Sequence, residues 1–113
     1  MQYKHGTDDG TLSISKANCF GNEINHPIAV GSYPHNPFGL YDMTGTVAEW
    51  CHDLYGTYPS GTVNNPSGAQ TGWIRVLRGG SWGQTFTSAE RDHAGAGYRQ
   101  GFIGFRIVRR ASP

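Results

Sequence analysis

The chain has 113 residues and a formal net charge of +1, with 36% hydrophobic and 15% charged residues. This length predicts a single domain, because a chain of this size buries only about two thirds of the surface that it exposes when unfolded. No run of about 18 apolar residues occurs and residues 1–10 are polar, so we expect neither a membrane-spanning helix nor a secretory leader. The 17 glycines exclude a helical bundle, because glycine is unfavourable inside helices.

The charges are segregated along the chain, with carboxylates in the early part and arginines in the late part. The arginines stand singly between glycine and apolar residues, which favours ion pairs within the fold over a basic surface for nucleic acid. We expect Arg78 and Arg106 to pair with Glu49 or Asp42. The predicted partners therefore include neither nucleic acid nor the interior of a membrane.

Three short segments have the composition of strands, bounded by glycine: 47–51, 74–77 and 103–108. The last two alternate basic and apolar residues, so each is predicted to pack one face in the core. The stretches 33–37, 56–72 and 95–101 are rich in turn residues, and no segment keeps a helical period. These patterns predict a compact α+β domain with short strands, only short helices and much irregular structure.

Four motifs follow one another in the chain: N-P-F-G-L-Y-D-M at 36–43, G-T-V-A-E-W at 45–50, R-V-L-R-G-G-S-W at 75–82 and G-F-R at 104–106. In this order they resemble the signature of the formylglycine-generating enzyme, or sulfatase-modifying factor, family. The resemblance extends over about residues 3–109 and corresponds to the C-terminal half of the full enzymes. It implies a C-type lectin-like fold for one domain comprising residues 1–113.

The motifs are mostly architectural in this interpretation. Gly79 and Gly80 lack a Cβ, so we expect the backbone there to let Trp50 and Trp82 pack across it. Phe105 and Glu49 are likewise predicted to belong to the core and its polar network.

The sequence favours a protein that is not an enzyme, with no catalytic residue and no required cofactor. The resembling oxidases use a pair of cysteines after R-G-G-S-W, whereas residues 83–91 contain no cysteine. Cys51, His52 and Asp53 are neighbours in a predicted strand, so they point to alternate faces and do not form a ready-made site. The histidines show no spacing typical of a zinc site.

The resemblance allows one cofactor, calcium. Members of this fold often bind calcium through loop oxygens, and Asn18 and Glu49 match positions where the family places ligands. The motif G-T-V-A-E-W lacks the Asn and the first Trp of the family's G-N-V-W-E-W, which argues against a second calcium site.

The interval between R-G-G-S-W and G-F-R resembles the variable segment of the variable proteins of diversity-generating retroelements, a non-catalytic branch of the family. In that branch, adenine-directed mutagenesis rewrites side chains displayed on a lectin-like scaffold. The predicted ligand-binding patch comprises Gly83, Gln84, Thr85, Glu90, Asp92, His93, Ala94, Tyr98, Gln100, Gly101 and Phe102, with Trp73 at its rim. Its aromatic and amphipathic side chains between glycines are of the kind that anchors ligands.

Codon chemistry limits this hypothesis at three positions. Substitution of the adenines in an asparagine codon reaches neither Gln nor Glu. We therefore expect Gln84, Glu90 and Gln100 to be fixed or to have another codon origin.

The leading interpretation is a ligand-binding module that recognises a protein or a glycan, and display on a virus particle or a cell surface would suit it. One alternative is a truncated relative of the formylglycine-generating oxidases or of the sulfoxide synthases. Another is an oligomer-forming structural domain. For the patch itself, the alternative is that Tyr98 and Phe102 fill the core beneath the last strand.

Overall fold

One four-stranded sheet organises the computed structural model, which describes residues 4–56, 61, 68–69 and 71–111. The strands are β1 (Ala48–Leu54), β2 (Ile74–Arg78), β3 (Arg91–Gly95) and β4 (Ile103–Gly104), and their order in the sheet is β3-β2-β1-β4. β2 is antiparallel to β1 and to β3, whereas β4 is parallel to β1. The described residues contain no helix, and hence none that is long and apolar enough to cross a membrane. Short strands within much irregular backbone are as predicted; of the turn-rich stretch 56–72, residues 57–60, 62–67 and 70 lie outside the described residues.

The third strand was not predicted, and the last strand is shorter than predicted. β3 has the sequence RDHAG, without β-branched or aromatic residues, yet it pairs with β2 from Arg91 opposite Arg78 to Gly95 opposite Ile74. Pairing with β2 therefore makes this segment a strand although its own residues have little preference for that conformation. The last strand ends at Gly104 instead of continuing to residue 108.

The core is small and does not contain all the predicted side chains. Its buried apolar residues include Val76 and Leu77 of β2. Trp50 and Trp82 are half-buried, whereas Phe105 is 76% exposed. The prediction that Phe105 is a core residue is wrong, because the chain leaves the sheet at Gly104 and carries this ring outwards.

Gly80 makes room for a tight backbone turn, not for a tryptophan side chain. The turn brings the amide of Ser81 to the carbonyl oxygen of Gln84 at 2.8 Å. A Cβ on Gly80 would lie 2.7 Å from that same carbonyl oxygen and 3.0 Å from the amide nitrogen of Phe86. The lack of a side chain at Gly80 therefore lets two stretches of backbone approach each other closely. The expectation that it makes room for Trp50 and Trp82 is corrected.

The N-terminal loops are joined to the sheet by a polar contact at Gly45. Asn18 is fully buried, and its carbonyl oxygen accepts a 2.8 Å hydrogen bond from the amide of Thr46. Gly45, at φ +83°, donates its own amide to the carbonyl of Gly79 at 2.8 Å. The chain can pass this closely only because Gly45 has no Cβ.

Arg106 joins the end of the sheet to the turn at 36–43. Its guanidinium forms a forked ion pair with Glu49, as predicted, and donates to the carbonyl oxygens of Tyr41 and Asp42 at 2.9 and 3.1 Å. The hydrogen bond to the Glu49 carboxylate raises the pKa of Arg106 above its already high usual value. Arg78 donates to the carbonyls of Ser88 and Ala89 in the loop before β3.

Candidate functional site

The register of β3 divides the predicted patch between the two faces of the sheet. Successive side chains of a strand point to opposite faces. Asp92 and Ala94, paired with Leu77 and Arg75, therefore share one face, and His93 lies on the other. The patch predicted from the sequence thus extends over both faces of β3, and His93, whose Nδ1 lies 3.8 Å from Oδ1 of Asp92, borders both.

On the first face lies a recess of about 350 Å³. Its floor includes Leu77, which is only 3% exposed, and Ile103 of β4, the strand at the other edge of the sheet. The predicted residues around it are Gln84, Asp92, His93, Ala94, Tyr98 and Phe102, and Gly95 completes its border. Side chains from separate parts of the sequence therefore converge on one concavity with an apolar floor, the usual form of a ligand site.

Main-chain hydrogen bonds hold the loops around this recess. The amide of Tyr98 donates to the carbonyl of Gly95 at 2.9 Å, and the amide of Ile103 donates to the carbonyl of Gln100 at 3.1 Å. The Tyr98 side chain is 47% exposed and that of Phe102 is half-buried. Tyr98 is therefore not a core residue, whereas the half-burial of Phe102 agrees in part with the core interpretation.

The second face carries an aromatic cluster that includes a residue absent from the predicted patch. The rings of Tyr55 and His93 stack with centroids 4.2 Å apart, and the guanidinium of Arg91 lies 4.7 Å from the centroid of Tyr55. Trp73 is 73% exposed, and the edge of its indole lies where a Cβ of Gly95 would point. Tyr55 directly follows β1, and only the pairing of β1 with β2 and of β2 with β3 reveals its contact with His93.

The other predicted patch residues are exposed but do not line the recess. They are Gly83, Thr85, Glu90, Gln100 and Gly101. Glu90 closes the turn before β3, because its carboxylate accepts a 3.1 Å hydrogen bond from the amide of Thr87. That hydrogen bond lowers the pKa of Glu90.

The two residues proposed for calcium differ in their fit to that role. The side-chain oxygen of Asn18 is buried and has no hydrogen-bond partner among the described residues, while its amide nitrogen donates to the carbonyl of His26 at 2.9 Å. An orphaned buried oxygen suits a calcium ligand. The carboxylate of Glu49 is instead occupied by Arg106. No group of three or more His, Cys, Asp or Glu side chains that could hold a metal occurs in the described part of the chain, so calcium at Asn18 stays a prediction.

Both thiols lie in surroundings that disfavour the reactive thiolate. Burial raises the pKa of Cys19, and burial raises the pKa of Cys51 despite the opposing charge of Arg78. We expect iodoacetamide at pH about 8 to alkylate each cysteine several times more slowly in the native chain than in urea, measured by mass spectrometry. Because each pKa is raised on folding, its contribution to stability is complete below the pKa of the unfolded thiol and declines as the pH rises above it. Equal native and unfolded alkylation rates would contradict this description.

Residues 2–111 match the family described as Sulfatase-modifying factor enzyme 1-like domain. Among curated proteins, the chain is 44% identical over 75 residues to the serine/threonine-protein kinase pkn1 of Chlamydia caviae, a match of 63% of this chain and 12% of the kinase. It is also 44% identical over 55 residues to the formylglycine-generating enzyme of Streptomyces coelicolor, covering 47% of this chain and 18% of the enzyme. The chain thus spans less than a fifth of either relative.

A solved structure, Treponema denticola variable protein 1, superposes with a TM-score of 0.72 and 34% identity. The superposition covers 79% of this chain and 34% of that protein. These likenesses confirm the predicted C-type lectin-like fold, and they confirm the resemblance both to formylglycine-generating enzymes and to a variable protein.

Proposed function

We propose that this chain, which belongs to the family of sulfatase-modifying factor enzyme 1-like domains, is a non-catalytic ligand-binding module. Its recognition surface centres on the recess between β3 and the loops around Tyr98 and Phe102. The observation that carries the proposal is the convergence of predicted patch residues from separate loops on one concavity above Leu77. Its ligand is a protein or a glycan.

The chemistry around the recess suits recognition. Tyr98 and Phe102 offer aromatic surface at a low cost in side-chain entropy, which is typical of binding anchors. Gln84 and Asp92 add hydrogen-bonding groups at the edge, and the small side chain of Ala94 leaves room between them. An apolar floor with a few polar groups is the usual composition of a specific site.

The main-chain hydrogen bonds that fix the loops around the recess also support a surface whose side chains can be exchanged. The turn at Gln84 and the turns before Tyr98 and Ile103 are closed by main-chain hydrogen bonds. Such bonds persist when side chains change, so substitutions at the rim leave the scaffold intact. The likeness to Treponema denticola variable protein 1 agrees with this use of the fold.

A displayed library tests this function with a target protein chosen in advance. One library randomises Gln84, Asp92, Ala94, Tyr98 and Phe102. The matched control library randomises exposed positions of the N-terminal loops: Ser13, Ile14, Ser15, Phe20 and Ala29. Both are displayed on yeast, scored for folded display and selected against purified streptavidin.

We expect both libraries to display folded protein and the recess library to yield binders that the control library does not. The concave site supplies a desolvated contact, whereas scattered loop positions do not. The proposal fails if the recess library yields no more binders than the control. It also fails if most recess variants are unfolded, since their side chains would then belong to the core.

A second candidate function is thiol oxidation, favoured by the match to the Streptomyces coelicolor formylglycine-generating enzyme. The resemblance places the reactive cysteines of those oxidases after R-G-G-S-W, where residues 83–91 have none. An assay with copper and a thiol-containing peptide separates the candidates. Catalytic turnover would favour the oxidase and contradict the binding module.

A further inference from the structure

A second surface, beside β4 at the opposite edge of the sheet from β3, has a strongly apolar lining. We call it the C-terminal groove: a cavity of about 380 Å³ walled by Val30, Leu40, Tyr41 and Phe105. All of these wall side chains are exposed, which is unusual for large apolar residues lying side by side. The groove is independent of the recess and of the function proposed for it.

The segment that follows the groove is an unpaired strand edge. Residues 103–108 have the composition of a strand, but pairing stops at Gly104. Ile107 and Val108 are 89% and 91% exposed, and beyond the strand pairs no backbone hydrogen bond between described residues involves 105–111. Free main-chain donors and acceptors beside exposed apolar side chains form a template for another strand.

The groove is pre-formed, so a partner would find its walls in place. Its floor contains the ion pair of Arg106 with Glu49, and Arg106 also holds the carbonyl of Tyr41. The adjoining turn is fixed by Asn36, whose side-chain oxygen accepts the amides of Phe38 and Leu40 at 2.9 and 3.0 Å. Pre-organisation reduces the entropy lost on binding.

Charge indicates what kind of segment fits. Both carboxylates at the groove are already hydrogen-bonded, Glu49 to Arg106 and Asp42 to the amide of Gly31. Arg109 and Arg110 follow the unpaired edge and are exposed. The end of the unpaired segment therefore attracts acidic residues, whereas a second copy of the chain would bring its own arginines to it.

We propose that residues 105–108 form a β-strand with an extended segment of a partner polypeptide. Alternate apolar side chains of the partner enter the C-terminal groove, and acidic residues at its end meet Arg109 and Arg110. Strand addition of this kind gives affinity through the main chain and specificity through side-chain pockets. A lipid surface fits less well, because unpaired backbone groups gain no hydrogen bonds in hydrocarbon.

The test uses two synthetic peptides that alternate Val and Thr and differ only at the C-terminus, in a run of Glu or a run of Lys. Binding to the full chain is followed by amide chemical shifts and hydrogen exchange. We expect the Glu peptide to protect amides of 105–108 and to bind about fivefold more tightly than the Lys peptide, given the modest strength of exposed ion pairs. Ile107→Pro removes a main-chain donor at a solvent-exposed position and should reduce affinity about tenfold or more. Ala111→Pro, beyond the segment, is the control and should bind as the parent does.

Four results would overturn the proposal. The first is the absence of protection at 105–108 with either peptide. The second is equal affinity for both peptides or for both proline variants. The third is a stable dimer in light scattering whose 105–108 amides are protected without peptide, which would make a second copy the occupant. The fourth is binding to anionic phosphatidylserine vesicles that Ile107→Pro leaves unchanged, which would indicate a membrane surface.

Discussion

Gly45→Ala is expected to destabilise the protein by about 4 kcal/mol, a large share of the total stability of about 5 to 15 kcal/mol that is typical of a small domain. Gly45 has φ +83°, a backbone conformation that costs an alanine about 1 to 2 kcal/mol. Its new Cβ would also overlap the carbonyl oxygen of Asn18 and lie 3.0 Å from the carbonyl carbon. Neither side of the contact can retreat freely, because Thr46 donates to that Asn18 oxygen and Gly45 itself donates to Gly79.

Gly39→Ala measures the cost of the backbone strain alone, without the steric overlap. Gly39 has nearly the same φ, +80°, but nothing lies within 4 Å of the point that its Cβ would occupy. We expect a loss of only about 1 to 2 kcal/mol there. Urea unfolding followed by tryptophan fluorescence measures both variants, and equal losses would show that the close approach to Asn18 does not stabilise the fold.

Arg106→Leu is expected to destabilise the protein by about 2 to 3 kcal/mol, because it leaves the carboxylate of Glu49 without its cation. The Glu49 side chain is only 16% exposed, so water replaces the lost partner poorly. The same substitution removes the donors to the carbonyls of Tyr41 and Asp42, which join the 36–43 turn to the sheet. The partial exposure of Arg106 keeps the expected loss below that of a fully buried pair.

Two further variants identify which part of this contact matters. Arg106→Lys keeps the charge but not the fork, and we expect about half of the loss because one ammonium cannot bridge the carboxylate and both carbonyls. A double-mutant cycle of Arg106→Leu with Glu49→Gln, followed by urea unfolding, should give a coupling energy of about 1 kcal/mol or more. Strict additivity of the two losses would contradict the ion pair's role.

The elements that could be predicted from the sequence are those with a strong local composition. The β-branched residues of β2 and the aliphatic and aromatic residues around β1 indicated strands, and the ordered motifs indicated a lectin-like fold. β3 was not predicted, because RDHAG has no preference for strand and owes its conformation to its pairing with β2. The segment 105–108 was the opposite case, since it has the composition of a strand but no partner strand beside it among the described residues.

The predicted patch did not anticipate the alternation of side chains along β3. In the sequence, Asp92 and His93 are neighbours, and the prediction placed both on one surface. Once β3 is a strand, alternation turns Asp92 towards the recess, whereas His93 borders the recess but stacks its ring on Tyr55. Only the pairing with β2 supplies this information, and for the same reason no local signal marked Tyr55.

The most direct test of the central claim is a crystal structure of a streptavidin-binding variant from the recess library in complex with its target. We predict that the randomised side chains at positions 84, 92, 94, 98 and 102 contact streptavidin while the sheet keeps the order β3-β2-β1-β4. A complex in which the target sits elsewhere and these side chains are packed inside the domain would contradict the claim.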